Sequence, residues 1–67
     1  MKNRMKELRA RHSLTQENLA ELVCVTRQTI LAIEAGKYSP SLDLGFMIAR
    51  ALQSKIDEVF LFESGEK

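Results

Sequence analysis

Apolar positions recur at helical spacing along most of the chain and are broken by short polar turns. Met5, Leu8 and His12 stand at i, i+3 and i+7, with Leu14 just beyond, which is one stripe of a helix over about 4–12. Ser13 and Leu14 form the connection to the next segment. Thr15 is a good N-cap for a second helix, with Gln16 and Glu17 in its first turn. Leu19, Ala20, Leu22 and Val23 supply its buried face, and it ends near Val23. Cys24 and Val25 form a short turn. Thr26 then caps a third helix over about 27–34, which buries Ile30 and Ile33. Gly36 falls where a helix end often needs a left-handed residue. Pro40 stops any helix from running through the loop at 37–40. Ser41 caps a fourth helix over about 42–52, with Leu44, Ile48, Ala49 and Leu52 inward. Gly45 inside it loses ~1 kcal/mol against alanine, which a close helix approach would explain. Ser54 or Lys55 opens a last short helix around 56–59, and residues 60–63 have strand character. No strand–helix–strand alternation occurs, so an α/β fold is excluded. The expected architecture is mainly α, a small bundle of five helices in one domain spanning 1–67.

Composition narrows the function. A chain of 67 residues buries only ~60% of the surface it exposes when unfolded. One cysteine allows no intramolecular disulfide, and no Cys/His cluster suits a structural zinc. Stability must come from tight packing, self-association or both. No apolar run approaches the ~18 residues that would span a bilayer. Residues 1–6 are basic but lack an apolar stretch behind them, so no secretory signal is expected and a reducing cytoplasm is the expected compartment. Charge is uneven: residues 1–40 carry seven Lys/Arg against four Asp/Glu, and residues 41–67 three against five. A basic front suits a polyanionic partner, although a mixed, solvated surface reads the same way. No nucleophile–base–orienter set and no Gly-rich phosphate loop is visible, so neither catalysis nor a cofactor is expected. His12 falls on the core side of its helix and reads as a packing residue rather than a metal ligand. Nothing after the bundle is long enough to hold an effector pocket.

The second and third helices are each about two turns long, and only three or four residues connect them. Such a pair crosses steeply, the helix-turn-helix arrangement. Residues 16–34, Gln16-Glu17-Asn18-Leu19-Ala20-Glu21-Leu22-Val23-Cys24-Val25-Thr26-Arg27-Gln28-Thr29-Ile30-Leu31-Ala32-Ile33-Glu34, resemble the helix-turn-helix of the Cro/C1 (xenobiotic-response-element) repressors. Leu14-Thr15-Gln16 before it, Glu34-Ala35-Gly36-Lys37 after it and Pro40-Ser41-Leu42 beyond extend the resemblance over nearly the whole chain. The nearest likeness is to short stand-alone regulators of the cytolysin-repressor type. The resemblance implies a five-helix DNA-binding bundle and a regulator, most often a repressor. It also implies that Gln16 clamps a phosphate and that Arg9 and Glu34 form an interhelical ion pair belonging to the scaffold.

The residues of the third helix agree with this. With Ile30 and Ile33 inward, Gln28, Leu31, Ala32 and Ala35 face outward, with Arg27 on the flank. Gln28 can pair with adenine, Arg27 with guanine or a phosphate, and Leu31 or Ala32 can touch a thymine methyl. Thr26, Thr29, Lys37 and Ser39 suit backbone contacts, which orient the protein without specifying sequence. Thr26 is first a cap. Tyr38 either joins the backbone contacts through its hydroxyl or half-buries against Pro40. Cys24 and Asn18 depart from the family pattern. Cys24 replaces the usual glycine of the turn, a left-handed position strained by ~1–2 kcal/mol for other residues. Asn18 replaces the acidic residue three after the cap, which should weaken the capping box. Ala32 and Ala35 offer few polar base contacts, which keeps open a second reading as an antitoxin or adaptor that binds another protein.

Phe46, Met47, Val59, Phe60, Leu61 and Phe62 exceed what so thin a core can absorb; some are needed for the core, and the surplus marks association, with Phe46, Met47, Ile56, Val59, Phe60 and Phe62 as the expected dimer interface. The expected partners are therefore double-stranded DNA and a second copy of the chain. An isologous dimer through the back end, 56–63, sets two recognition helices ~34 Å apart, as a palindromic site requires. By the same resemblance, residues 1–3 pair with 61–63 as a small antiparallel ribbon.

Overall fold

The computed structural model describes residues 2–61. Among these, the order is β1 (Lys2–Asn3), α1 (Met5–Arg11), α2 (Gln16–Leu22), α3 (Arg27–Glu34), α4 (Leu42–Ala51), α5 (Ile56–Val59) and β2 (Phe60–Leu61). The five helices close around Met5, Leu8, Leu19, Ala20, Val23, Ile30, Ile33, Ile48, Ala49, Leu52, Val59 and Phe60, all buried. The strands pair antiparallel, with Lys2 opposite Leu61 and Asn3 opposite Phe60. Arg4 continues the pairing by donating its N–H to the Val59 carbonyl at 2.7 Å. The expected ribbon is present, but it involves Phe60 and begins one residue earlier than expected. Met1, Phe62 and Glu63 lie outside the described residues.

Short polar side chains start α2, α3 and α4. Thr15, Thr26 and Ser41 each accept from the backbone N–H three residues on, filling one of the four donors a helix start leaves open. Asn18 does not weaken its box. Its Oδ1 accepts the Thr15 N–H at 3.3 Å while its own N–H reaches Thr15 Oγ1 at 2.9 Å. The amide oxygen thus replaces a carboxylate oxygen in the reciprocal bond.

The helix ends share a device that the sequence showed only in part. Ser13, Cys24, Gly36 and Gln53 are all left-handed, with φ of 56°, 59°, 77° and 52°. In each case the next residue donates back to the carbonyl five before it: Leu14 to Arg9, Val25 to Ala20, Lys37 to Ala32 and Ser54 to Ala49, at 2.9–3.0 Å. This is the Schellman closure, in which an apolar side chain just past the end commonly packs back on the last turn. Leu14 and Val25 do pack against the core, which offsets the strain at Ser13 and Cys24. Cys24→Gly is expected to raise the melting temperature by a few degrees. The relief of strain, ~1–2 kcal/mol, is partly cancelled by the greater freedom of glycine in the unfolded chain. A thermal melt measures it, and a lower melting temperature would mean that the thiol packs usefully.

Two expectations change. Leu22 is not part of the buried face of α2 but is 56% exposed. The stripe through Leu19, Ala20 and Val23 passes more than a quarter turn from it at 100° per residue. Gly45 is buried at the approach of α4 to α5, yet a methyl there would meet Ile56 Cδ1 at 3.4 Å and Phe60 Cε2 at 3.7 Å. Those are ordinary contacts, so the approach excludes side chains larger than alanine rather than alanine itself.

Candidate nucleic-acid interface

The unit α2–turn–α3 forms because Thr15 and Thr26 start its helices and the left-handed Cys24 turns the chain between them. Ala20, buried beneath the turn, leaves room for the two helices to cross. Ile30 and Ile33 anchor α3 in the core. Arg27, Gln28 and Leu31 are therefore exposed and Ala32 is half-buried. Thr26 Oγ1 accepts the Thr29 N–H at 3.2 Å and lies 3.0 Å from Thr29 Oγ1. The two hydroxyls are thus paired with each other at the start of α3.

Tyr38, in the loop after α3, is 49% exposed. It lines an open cleft of about 300 Å³ with Thr26, Gln28, Thr29 and Ala32. The tyrosine thus stands beside the outward face of α3. Lys37 and Ser39 are exposed on the same loop.

Gln16 has a partner at the other end of the unit. Its Nε2 donates to Glu34 Oε1 at 3.1 Å. Arg9 holds the same carboxylate through Nε to Oε2 at 2.5 Å and Nη2 to Oε1 at 3.2 Å, and its Nη1 reaches the Leu14 carbonyl at 3.0 Å. The Arg9 and Glu34 side chains are only 13% and 10% exposed. Gln16, Arg9 and Arg27 line one cleft of about 460 Å³ with Leu14, Thr15 and Glu17. The starts of α2 and α3 therefore share one polar surface.

Asn3 has a part that has no signature in the sequence. Its Nδ2 donates to the Ile33 carbonyl at 2.8 Å and its Oδ1 accepts the Met5 N–H at 3.2 Å. It ties the ribbon to the last turn of α3, across 30 residues of chain. Asparagine in a short strand has no periodic or motif signature.

The back end divides in two. Val59 and Phe60 are 0% and 2% exposed within the single chain, so they are core rather than docking surface. Their place in the expected interface is withdrawn. In β2, Phe60 points inward and Leu61 outward by strand alternation. Phe46 and Met47 are exposed and Ile56 is half-buried. They line an open groove of about 780 Å³ between α4 and α5, with Ala49, Arg50, Ser54, Lys55 and Asp57. Phe62, also expected there, lies outside the described residues. Among the described residues, no helix is long and apolar enough to cross a membrane, and no group of three His, Cys, Asp or Glu gathers to hold a metal ion.

A helix-turn-helix family model matches residues 5–59, which is most of the chain. The chain is a helix-turn-helix transcriptional regulator of the Cro/C1 type. An HTH-type transcriptional regulator of Methanocaldococcus jannaschii is 54% identical over 66 residues, covering 98% of this chain and all of the relative. The HTH-type regulator YgzD of Bacillus subtilis is 54% identical over 63 residues, 94% of this chain and 96% of that one. Among solved structures, the restriction-modification controller protein C.AhdI of Aeromonas hydrophila superposes with a TM-score of 0.78 at 35% identity. That match covers 85% of this regulator and 86% of the controller. The clp gene regulator ClgR of Corynebacterium glutamicum shares the fold, with a TM-score of 0.76 at 24% identity over 81% of this chain and 57% of its own. The Cro/C1-type regulator described here thus has the fold that its sequence predicts, including the small ribbon.

Proposed function

We propose that this regulator is a homodimeric repressor that reads a palindromic operator with α3 in the major groove. The observation that carries the reading is the division of α3. Ile30 and Ile33 are sealed in the core while Arg27, Gln28 and Leu31 stand outward, a helix fixed on one side and open for contact on the other. Gln28 reads adenine through its amide and Arg27 reaches guanine or a phosphate. Ala32 and Leu31 are placed for thymine methyl groups. Gln16, Thr26, Thr29, Lys37, Tyr38 and Ser39 surround them as contacts to the sugar-phosphate backbone. Two copies joined through the groove at Phe46, Met47 and Ile56 present two such helices to one face of the duplex. Repression needs no chemistry, because an occupied operator excludes polymerase.

The test is selection of bound duplexes from a random pool, followed by binding measurements at several salt concentrations. Inverted repeats are expected to be enriched, with log affinity falling linearly against log salt. Gln28→Ala is expected to relax the preference at one base pair in each half-site and to weaken binding by ~1–3 kcal/mol per half-site. A uniform loss with preference unchanged moves Gln28 to the backbone contacts. Salt-independent, sequence-blind binding would favour a protein partner and refute the operator reading.

A further inference from the structure

The ion pair Arg9–Glu34 does more than join α1 to α3, because a third side chain ends on it. We propose that Glu34, held by Arg9, is a positioning residue for Gln16, presenting its amide to a DNA phosphate before the DNA arrives. The proposal rests on the reading of Gln16 as a phosphate contact.

A carboxylate only accepts hydrogen bonds, so the amide atom 3.1 Å from Glu34 Oε1 is the Gln16 nitrogen. That fixes which way the amide faces. Nε2 carries two hydrogens; Glu34 takes one and the other is left for a phosphate oxygen. A glutamine without such an anchor must order its three side-chain torsions when the complex forms, and affinity falls accordingly. Glu34 orders them in the free protein.

A bare carboxylate beside a phosphate would repel it. Arg9 removes that difficulty, because both Glu34 oxygens accept from its guanidinium. Its remaining bond, to the Leu14 carbonyl, holds the residue preceding the Thr15 cap, so the chain that carries Gln16 is fixed from two sides. Both ionic side chains are mostly shielded from water, and the arrangement is not opened by solvent competition. Gln16 itself is half-buried and borders the cleft that Arg27 also lines. One edge of its amide is thus engaged while the side chain still reaches the surface.

The experiment compares the full chain with Gln16→Met, Glu34→Asp and the double variant, on an inverted-repeat duplex selected from a random pool. Glu34→Asp keeps the charge but shortens the reach by one methylene. Gln16→Met removes the donor at similar volume. Each single variant is expected to bind about three- to tenfold more weakly per half-site, the worth of one hydrogen bond. In the Gln16→Met background, Glu34→Asp is expected to cost nothing further. The slope of log affinity against log salt should be the same in all four, since no charged group is lost.

Equal losses from Glu34→Asp in both backgrounds overturn the proposal and leave Glu34 a residue of the fold. Full affinity in Gln16→Met instead removes the phosphate reading of Gln16, and the proposal with it. A measurement on the unaltered protein guards against variants that fail to fold. The Gln16 side-chain amide should show rigid, unaveraged nitrogen relaxation before DNA is added, and one of its two proton resonances should move on binding. Fast averaging in the free protein overturns the proposal.

Discussion

Phe60→Ala is expected to remove a large share of the protein's folding stability rather than release its tail. The ring is 2% exposed and packs over Gly45, where a methyl would sit 3.7 Å from Cε2. Removing a buried phenylalanine side chain costs ~3–5 kcal/mol. The whole domain, at ~0.05–0.15 kcal/mol per residue, has roughly 3–10 kcal/mol to lose. Neighbouring losses add to this. Val59 is fully buried beside it, and the Val59 carbonyl and Phe60 backbone hold the ribbon to Arg4 and Asn3. Circular dichroism and thermal melting of Phe60→Ala measure the effect. A cooperative melt within a few degrees of the unaltered protein would show that the ring contributes little to the core. The substitution therefore cannot serve as a monomer-making variant, although the apolar surplus in the sequence places Phe60 in the interface without separating the members of that group that the core needs.

That ambiguity shows where the chain was legible. Elements with strong local causes could be read directly. Thr15, Thr26 and Ser41 start helices because a short side-chain oxygen meets an open N–H. Ile30 and Ile33 orient α3 because three residues make nearly a full turn. Gly36 ends α3 because it alone lacks a Cβ that resists the left-handed turn. Elements whose cause is tertiary could not be read. Ser13 and Gln53 adopt the same left-handed conformation without a glycine to announce it, and the closure of the backbone after them is what holds them there. Leu22 looks as apolar as Leu19, and only the direction of the stripe separates them. Asn3 bonds a carbonyl 30 residues away, and neither composition nor periodicity records such a partner. At the candidate site the outward residues of α3 follow from the positions of the inward ones. Gln16, by contrast, showed no tie to Glu34 until the helices were seen packed.

Replacing Phe46 and Met47 together by serine is expected to separate the proposed dimer while leaving each copy folded. Both side chains are largely exposed in the single chain, at 53% and 43%, so their loss removes little from the core. They line the apolar groove between α4 and α5 with Ile56, and an exposed apolar patch on a small domain marks an association surface. In a twofold dimer each substitution acts twice, because the same patch serves both copies. The expected readouts therefore move apart. Helical circular dichroism stays, and sedimentation changes from dimer to monomer. Operator affinity falls by ~10²–10⁴, since two half-sites are no longer engaged by one particle. Affinity for a single half-site should fall far less, because Arg27, Gln28 and the surrounding backbone contacts remain intact. The melting temperature becomes independent of protein concentration, whereas in the unaltered protein it rises with concentration as association favours the folded state. If the unaltered protein sediments as a monomer at the concentrations where it occupies an inverted repeat, the groove is not the dimer seat, and the two recognition helices meet the duplex as separate molecules.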